Sequence, residues 1–380
     1  MKHSLKIAMI GQKGIPAMYG GIERHVEEIS LRLAKEGHNV TVFCRPYYTE
    51  LMENYKGVRL ELLPSINTKH LDAISHSFFA TAKTFWRDYD VIHYHALGPS
   101  TLSFLPKLAG KKVAVTVHSI DWLRPKWGPL ARSFLYFGER AAVLFPDRTI
   151  VISKTLKRYF ETKYRREVFY IPNGINVPAF VAPRIIKERY GLAYGDYILF
   201  VGRLVPDKGC HYLLEAFKNI KGAKKLVIIG GSGHSDRYES ELKLLASKDN
   251  RILLTGYLHG EILEEFYTNA YLFVLPSLIE GLSISLLEAL SYGKAALCSD
   301  IEENKEILHP EGNSPIGFAF KSGDTKDLQK KLSYLLEHPE EVKAMGEMAK
   351  NYVAENYNWD KAARDTNALY MSLFNGNSSL

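Results

Sequence analysis

Short apolar, β-branched runs alternate with amphipathic stretches along this chain, and the pattern runs through twice. LKIAMIG, VTVFCR, VRLELLP, VIHYHAL, KVAVTVH, TIVIS and VFYIP punctuate the first half. IERHVEEISLRLAKE and SHSFFATAKTFWRD lie between them at helical spacing. The second half restarts with YILFVGR, KLVIIGG, RILLTGY, LFVLPS, AALCSD and GFAF. Continuous rather than alternating apolar runs belong to parallel strands buried on both faces. Strand–helix alternation then predicts an α/β chain of two doubly wound parallel sheets. A chain of 380 residues is also too long for one ordinary core.

The periods break at PNGINVPAFVAP, where three prolines and a glycine place a linker near residues 172–184. We expect a first domain over 1–178, a second over 179–355 and a final helical segment over 356–380. The last NGNSS reads as frayed. No run approaches the ~18 uncharged residues of a spanning helix. MKHSLKIAMIG reads as a strand, not a signal peptide, and Cys44, Cys210 and Cys298 read as core thiols of a cytoplasmic protein.

The net charge of +7 conceals an asymmetry. Residues 1–178 carry 26 Lys+Arg against 15 Asp+Glu, and residues 179–380 carry 23 against 27. A basic half suits an anionic partner or a solvated surface. No base-stacking motif or reading helix accompanies it, which argues against nucleic acid.

In open parallel sheets, ligands sit at the carboxyl ends of strands. If two such sheets face each other, those ends line one interdomain cleft. The first strand runs into GQKGIPAMYGGIERH, where Gly20 and Gly21 open a helix, as glycines do where backbone amides approach a ligand. The spacing is not G-x-G-x-x-G, so a dinucleotide is disfavoured. KVAVTVH ends at His118, placed to donate to a sugar hydroxyl. His93 and His95 share one face of their strand, but no third ligand stands at metal spacing, so packing is expected. Arg203 and Lys208 follow a strand in VGRLVPDKG and suit a diphosphate. Asp88-Tyr89-Asp90 precedes its strand, at the wrong end for a metal-holding Asp-x-Asp.

SLIEGLSISLLEAL places Glu280 and Glu288 eight residues apart. On a continuous helix they would diverge by ~80°. Gly281 breaks the chain and Ser283 is a helix cap, so Glu280 belongs to a loop and Glu288 to a helix. Glu280 and the amides of Gly281, Leu282, Ser283 and Ile284 would form a mixed donor and acceptor pocket, with Glu288 on a second part of an elongated ligand.

Together, GQKGIPAMYGG, VHSID, GRLVPDKG and EGLSISLLE resemble the retaining glycosyltransferases of family 4, with the GT-B fold of two facing Rossmann-like domains. The last motif is the E-x7-E signature. The opening looks closest to a subgroup described as rhamnosyl- or related transferases for bacterial surface polysaccharides. The resemblance implies a nucleoside diphosphate sugar as donor, no cofactor, and no metal. Arg203 and Lys208 would hold the diphosphate, Glu280 the sugar hydroxyls, and Glu288 the ribose. His118 would lie against the donor sugar, Gly20 and Gly21 near the diphosphate, and Gly256, Tyr257 and Leu258 against the base. Ser283 and Ser285 stand where many members carry glycine and proline. A final helix returning to the first domain is also implied.

The acceptor would be a glycan or lipid-linked intermediate. SIDWLRPKWGPLARSFLYFGERAAVLF and SKTLKRYFETKYRRE mix aromatic and basic residues. They read either as contacts to an anionic membrane at the inner face of the cell or as core helices with solvated lysines. The competing classes are a GT-B epimerase or phosphorylase and a non-catalytic sugar-nucleotide binder.

Overall fold

The computed structural model describes residues 4–68, 71–178, 180–232 and 236–374. Ala179 of the expected linker and the final NGNSS lie outside them. Two compact units divide the chain: Met1–Gly174 with Trp359–Leu380, and Ile175–Asn358. These divisions fall a few residues from the expected 178/179 and 355/356.

In unit 1 the order is β1 (Lys6–Ile10), α1 (Gly21–Lys35), β2 (Asn39–Cys44), β3 (Asn54–Tyr55), β4 (Val58–Leu62), α2 (Asp72–Phe85) and β5 (Val91–His95). It continues with α3 (Leu97–Ser100), α4 (Phe104–Leu108), β6 (Lys112–Val117), α5 (Pro129–Leu144), β7 (Arg148–Val151), α6 (Lys154–Tyr164) and β8 (Phe169–Tyr170). The sheet order is β3-β4-β2-β1-β5-β6-β7-β8. Every pair is parallel except β3–β4, a two-residue antiparallel edge. The β5 strand VIHYH is buried at all five positions, because helices cover both faces.

Unit 2 holds α7 (Ile185–Tyr190), β9 (Tyr197–Val201), α8 (Cys210–Phe217), β10 (Lys225–Ile229), α9 (Asp236–Ala246), β11 (Ile252–Gly256) and α10 (Glu261–Asn269). Then come β12 (Leu272–Leu275), α11 (Ile284–Ser291), β13 (Ala296–Ser299), α12 (Glu302–Leu308), β14 (Phe318–Phe320), α13 (Thr325–Glu337) and α14 (Pro339–Asn356). Its sheet is parallel throughout, in the order β11-β10-β9-β12-β13-β14.

The last helix, α15 (Trp359–Ser372), belongs to unit 1 and packs on α1. Arg32 Nε donates to Asp360 at 2.6 Å, and Asn367 Nδ2 to Glu36 at 2.7 Å. Trp359, Thr366 and Tyr370 are buried beneath.

Both sheets have a point where strand order reverses. In unit 1 it lies between β1 and β5, in unit 2 between β9 and β12. All the strands at these points are parallel, so their carboxyl ends share one edge of each sheet. The Asp88–Asp90 turn sits at the opposite edge: the Asp90 carboxylate accepts from the backbone N–H of Lys6, at the start of β1. Cys44, Cys210 and Cys298 are buried free thiols.

Candidate functional site

In unit 2 the reversal point carries a charge pair. β9 is followed by a 3-10 turn over Pro206–Lys208, and β12 by the loop holding Glu280. Lys208 Nζ donates to Glu280 Oε1 at 2.6 Å. Both side chains are largely shielded, with 15% and 6% of their surface exposed. The turn is held tight by Gly209, at φ 66°, where a Cβ would sit 2.0 Å from the Pro276 carbonyl oxygen. That close approach ties the end of the turn to the end of β12 and sets the lysine against the glutamate. Arg203 is half-buried, and its guanidinium has no partner among the described residues.

Helix α11 begins at Ile284 with Ser283 as its cap, whose side chain accepts from the Leu286 N–H. Glu280, Gly281, Leu282 and Ser283 therefore precede the helix and are buried. Glu288 lies inside it and is half-buried. The Tyr267 hydroxyl donates to Glu288 Oε2 at 3.0 Å. Burial, and then the charge of Glu288, pushes the Tyr267 phenol far up, so that it stays a donor.

Gly256 ends β11, and Tyr257 and Leu258 follow it. The Tyr257 hydroxyl donates to the Gly231 carbonyl at 2.7 Å. Sequence reasoning missed the two glycines after β10. A Cβ on Gly230, at φ 141°, would lie 1.8 Å from the Gly202 carbonyl oxygen, and one on Gly231 would strike the Tyr257 ring. The backbone at the ends of β9, β10 and β11 is thus packed closely enough to require glycine. The GG of KLVIIGG was the available signal. Glu303, just after β13, was also missed. Burial raises its carboxyl, and the charge of Glu280 adds to the rise.

Unit 1 carries a histidine cluster at the equivalent edge. His95 ends β5, His118 follows β6, and His25 projects from α1. His95 Nδ1 and His118 Nε2 are 3.2 Å apart, and the His25 and His118 rings meet edge to face at 4.8 Å. His25 Nδ1 lies 2.9 Å from Asn173 Oδ1. An amide oxygen only accepts, so Nδ1 carries the proton. His93 Nδ1 lies 2.5 Å from the Tyr370 hydroxyl and its Nε2 lies 2.8 Å from that of Thr116.

Burial lowers His25 to about 4 and His93 to about 3. It takes His95 and His118 well below the ordinary range, with neighbouring histidines adding to the shift. At neutral pH the cluster is uncharged.

His93 packs and hydrogen-bonds as expected, but linear spacing did not register a different trio that includes His95. His25, His95 and His118 each offer a nitrogen within 4.8 Å of the others. Two of the three come from other elements, which linear spacing could not register.

Gly20 caps α1 at φ 104°, and Gly21 is its first residue. The glycine loop before them is pinned. Glu23 accepts from the Lys13 N–H, Glu27 from the Ala17 N–H, and the Tyr48 hydroxyl from the Met18 and Tyr19 N–H groups. Gly11 sits where a Cβ would lie 2.3 Å from the His95 carbonyl oxygen, which binds the loop's start to the histidine strand.

The aromatic and basic segment after His118 divides between the two readings the sequence left open. Arg124 is buried and paired with Asp121, which also accepts from Ser119. Trp122 is half-buried and donates to Glu139. Packing of this stretch against α5 withdraws Arg124 and Trp122, while Lys126 and Arg132 stay exposed.

Comparisons with known proteins agree with this architecture. The model "Glycosyltransferase Family 4" matches residues 19–178, and "Glycosyl transferases group 1" matches residues 186–352. An uncharacterized glycosyltransferase of Methanocaldococcus jannaschii is 27% identical over 96% of this chain and 98% of its own length. The alpha-maltose-1-phosphate synthase of Mycolicibacterium smegmatis is 23% identical over 96% and 99%.

Among solved structures, sucrose-phosphate synthase from Thermosynechococcus elongatus superposes with a TM-score of 0.83 at 21% identity, over 98% of this chain and 100% of that one. Anabaena HepE, in complex with UDP-glucose, gives 0.80 at 17% over 97% and 100%. The two family matches follow one another along most of the chain and coincide with its two parallel-sheet units, so the protein is a glycosyltransferase of the family 4, GT-B type.

Proposed function

We propose that this protein is a retaining, metal-independent transferase that moves a hexosyl or deoxyhexosyl unit from a nucleoside diphosphate sugar. The acceptor is a hydroxyl of a glycan or lipid-linked intermediate in cell-surface polysaccharide synthesis, and the rhamnosyltransferase-like subgroup is the nearest functional type. The work is done on the cytoplasmic side, at the inner face of the membrane. The carrying observation is the Lys208–Glu280 pair at the reversal point of the unit 2 sheet, where open α/β sheets bind ligands.

As the sugar–phosphate bond breaks, negative charge grows on the leaving diphosphate and positive character on the sugar. Lys208 and the unpaired guanidinium of Arg203 stabilise the first without reorganising. Glu280 holds sugar hydroxyls, with the amides of Gly281, Leu282, Ser283 and Ile284 on neighbouring oxygens. Glu288 takes the ribose hydroxyls, and Gly256, Tyr257 and Leu258 border the base. In unit 1, neutral His118 donates to the donor sugar and Gly20 and Gly21 serve the diphosphate. The acceptor oxygen attacks the face the diphosphate leaves, and its proton passes to a leaving phosphate oxygen, which gives retention. The complex of HepE with UDP-glucose supports a nucleotide sugar as donor class.

Titration calorimetry with UDP-, GDP-, dTDP- and ADP-linked sugars tests this reading. Wild type should bind at least one of them, and Lys208→Ala should weaken that binding while the chain stays folded. A wild type that binds none of the nucleotides overturns the donor assignment.

A further inference from the structure

The β4–β5, β5–β6 and β6–β7 connections of unit 1 all step toward the same sheet edge. Right-handed crossovers therefore place α2, α3, α4 and α5 in one layer, and α2 touches α3 and α4 while α3 touches α5. The outer surface of this layer has an unusual composition.

Helix α5 is anchored by one buried acid. Glu139 is fully buried and accepts from Trp122 Nε1, the hydroxyls of Tyr159 and Tyr164, and Lys163 Nζ. This fixes the helix about its axis. Leu130, nine residues earlier, then points ~180° away from Glu139, and Phe134, Phe137 and Leu144 fall within ~40° of Leu130. All four are exposed, Leu130 at 90%. Every exposed position of α5 is apolar, aromatic, serine or arginine. Arg132 and Arg140 are exposed and have no ion partner among the described residues.

Helix α2 repeats the pattern. Its exposed positions are Ala73, Phe78, Phe79 and Phe85, with Trp86 following at 78% exposure. Its one acid, Asp72, is buried and paired with Arg45. Between the two patches, α4 adds Leu108 and Lys107, the lysine paired with Asp147. No acidic side chain is exposed on α2, α4 or α5. Exposed apolar and aromatic side chains clustered on one helix face, with cations and no acid among them, mark an interaction site rather than ordinary surface.

We propose that the outward faces of α2, α4 and α5 form a docking surface for the anionic headgroup layer of a lipid bilayer. Aromatic side chains enter the headgroup and acyl boundary, while Arg132 and Arg140 meet lipid phosphates. Charge selects this occupant over a second copy of the chain, which would set the same unpaired arginines against each other. No helix among the described residues is long and apolar enough to cross a membrane, and a surface contact of this kind requires none. The surface deepens the lipid-linked acceptor reading but rests on separate residues, none of which holds the donor.

Flotation with vesicles of phosphatidylcholine, with and without about 30% phosphatidylglycerol, at low and high salt is the test. The full chain should float with the anionic vesicles alone at low salt and bind them several-fold less at high salt. Phe134→Ser with Phe137→Ser, and separately Phe78→Ser with Trp86→Ser, should each weaken partitioning about tenfold, more than salt alone does. Lys361→Ser with Arg364→Ser, on α15, which packs on α1 across the sheet from this layer, should change it little. Absence of flotation on anionic vesicles overturns the proposal, as does loss of binding in the α15 variant alone. A wild-type dimer that the phenylalanine variants split into monomers also overturns it, in favour of self-association. Donor calorimetry on the same variants should match wild type, so failure of the membrane reading and failure of the donor reading give different results.

Discussion

The two units place opposite kinds of chemistry at the same topological position. At the reversal point of unit 2, a lysine and a glutamate face each other as a shielded charge pair. At that of unit 1, three imidazoles are packed together and kept neutral by burial. A charge pair can exchange its internal contact for a charged ligand, with lysine turning to a phosphate and glutamate to hydroxyls. A neutral cluster has no net charge to offer, but Asn173 fixes the direction of the His25 ring, and Tyr370 and Thr116 fix that of the adjacent His93. The first arrangement suits a diphosphate sugar, and the second suits neutral hydroxyls.

The largest expected effect breaks the charged side of this contrast. Lys208→Ala should lower kcat/KM for sugar transfer by about 10²–10³, which is the scale of losing a preorganised charge at a developing anion. It also leaves Glu280 shielded without its cation. Adding Glu280→Gln should recover stability but not activity. A double variant that regains turnover would show that the pair is structural.

Acid tests the neutral side. A histidine held at about 4 when folded and near 6.5 when unfolded stabilises the fold fully above about pH 6.5 and loses that stability as pH falls toward 4. His25 and His93 should each contribute a loss of about 2 kcal/mol by pH 5. All four tryptophans, Trp86, Trp122, Trp127 and Trp359, belong to unit 1. Urea unfolding followed by tryptophan emission therefore reads unit 1 by itself. Its midpoint should fall between pH 7 and pH 5. An unchanged midpoint would mean that the histidines are protonated in the folded state.

Backbone closeness gives a third test. Gly230→Ala forces a Cβ to within 1.8 Å of the Gly202 carbonyl oxygen, at a φ that L-residues avoid. It should destabilise unit 2 by about 2–3 kcal/mol and leave the tryptophan-monitored transition of unit 1 in place. A matching shift in the tryptophan signal would show that the units unfold together.

What the sequence disclosed follows from the range of each interaction. Parallel strands were legible because burial on both faces makes them almost wholly apolar, as in YILFV and LFVL. The cap at Ser283 was legible because its bond to Leu286 is local. β3 was not, since a two-residue strand has no period. The histidine cluster was half legible: His93 and His95 share a strand, but His25 reaches Asn173 across 148 positions. Glu139 carried no signal in the sequence, because the partners that bury it lie on neighbouring elements.

The smallest expected effect is also the most discriminating. Each unit uses one fully buried tyrosine to orient a titratable side chain: Tyr267 donates to Glu288 in unit 2, and Tyr370 meets His93 in unit 1. Removing either hydroxyl deletes one hydrogen bond, a change of about 1 kcal/mol. If Glu288 binds the ribose, Tyr267→Phe should weaken nucleotide affinity about three- to fivefold, because the carboxylate loses the contact that aims it. Tyr370→Phe should leave that affinity alone and lower the tryptophan-monitored stability instead. Equal and small affinity changes in both would mean that Tyr267 only packs against Tyr292, whose ring it stacks upon at 5.4 Å. The ribose role would then pass from Glu288 to another group at the same sheet edge, with Glu303 the next carboxylate along it.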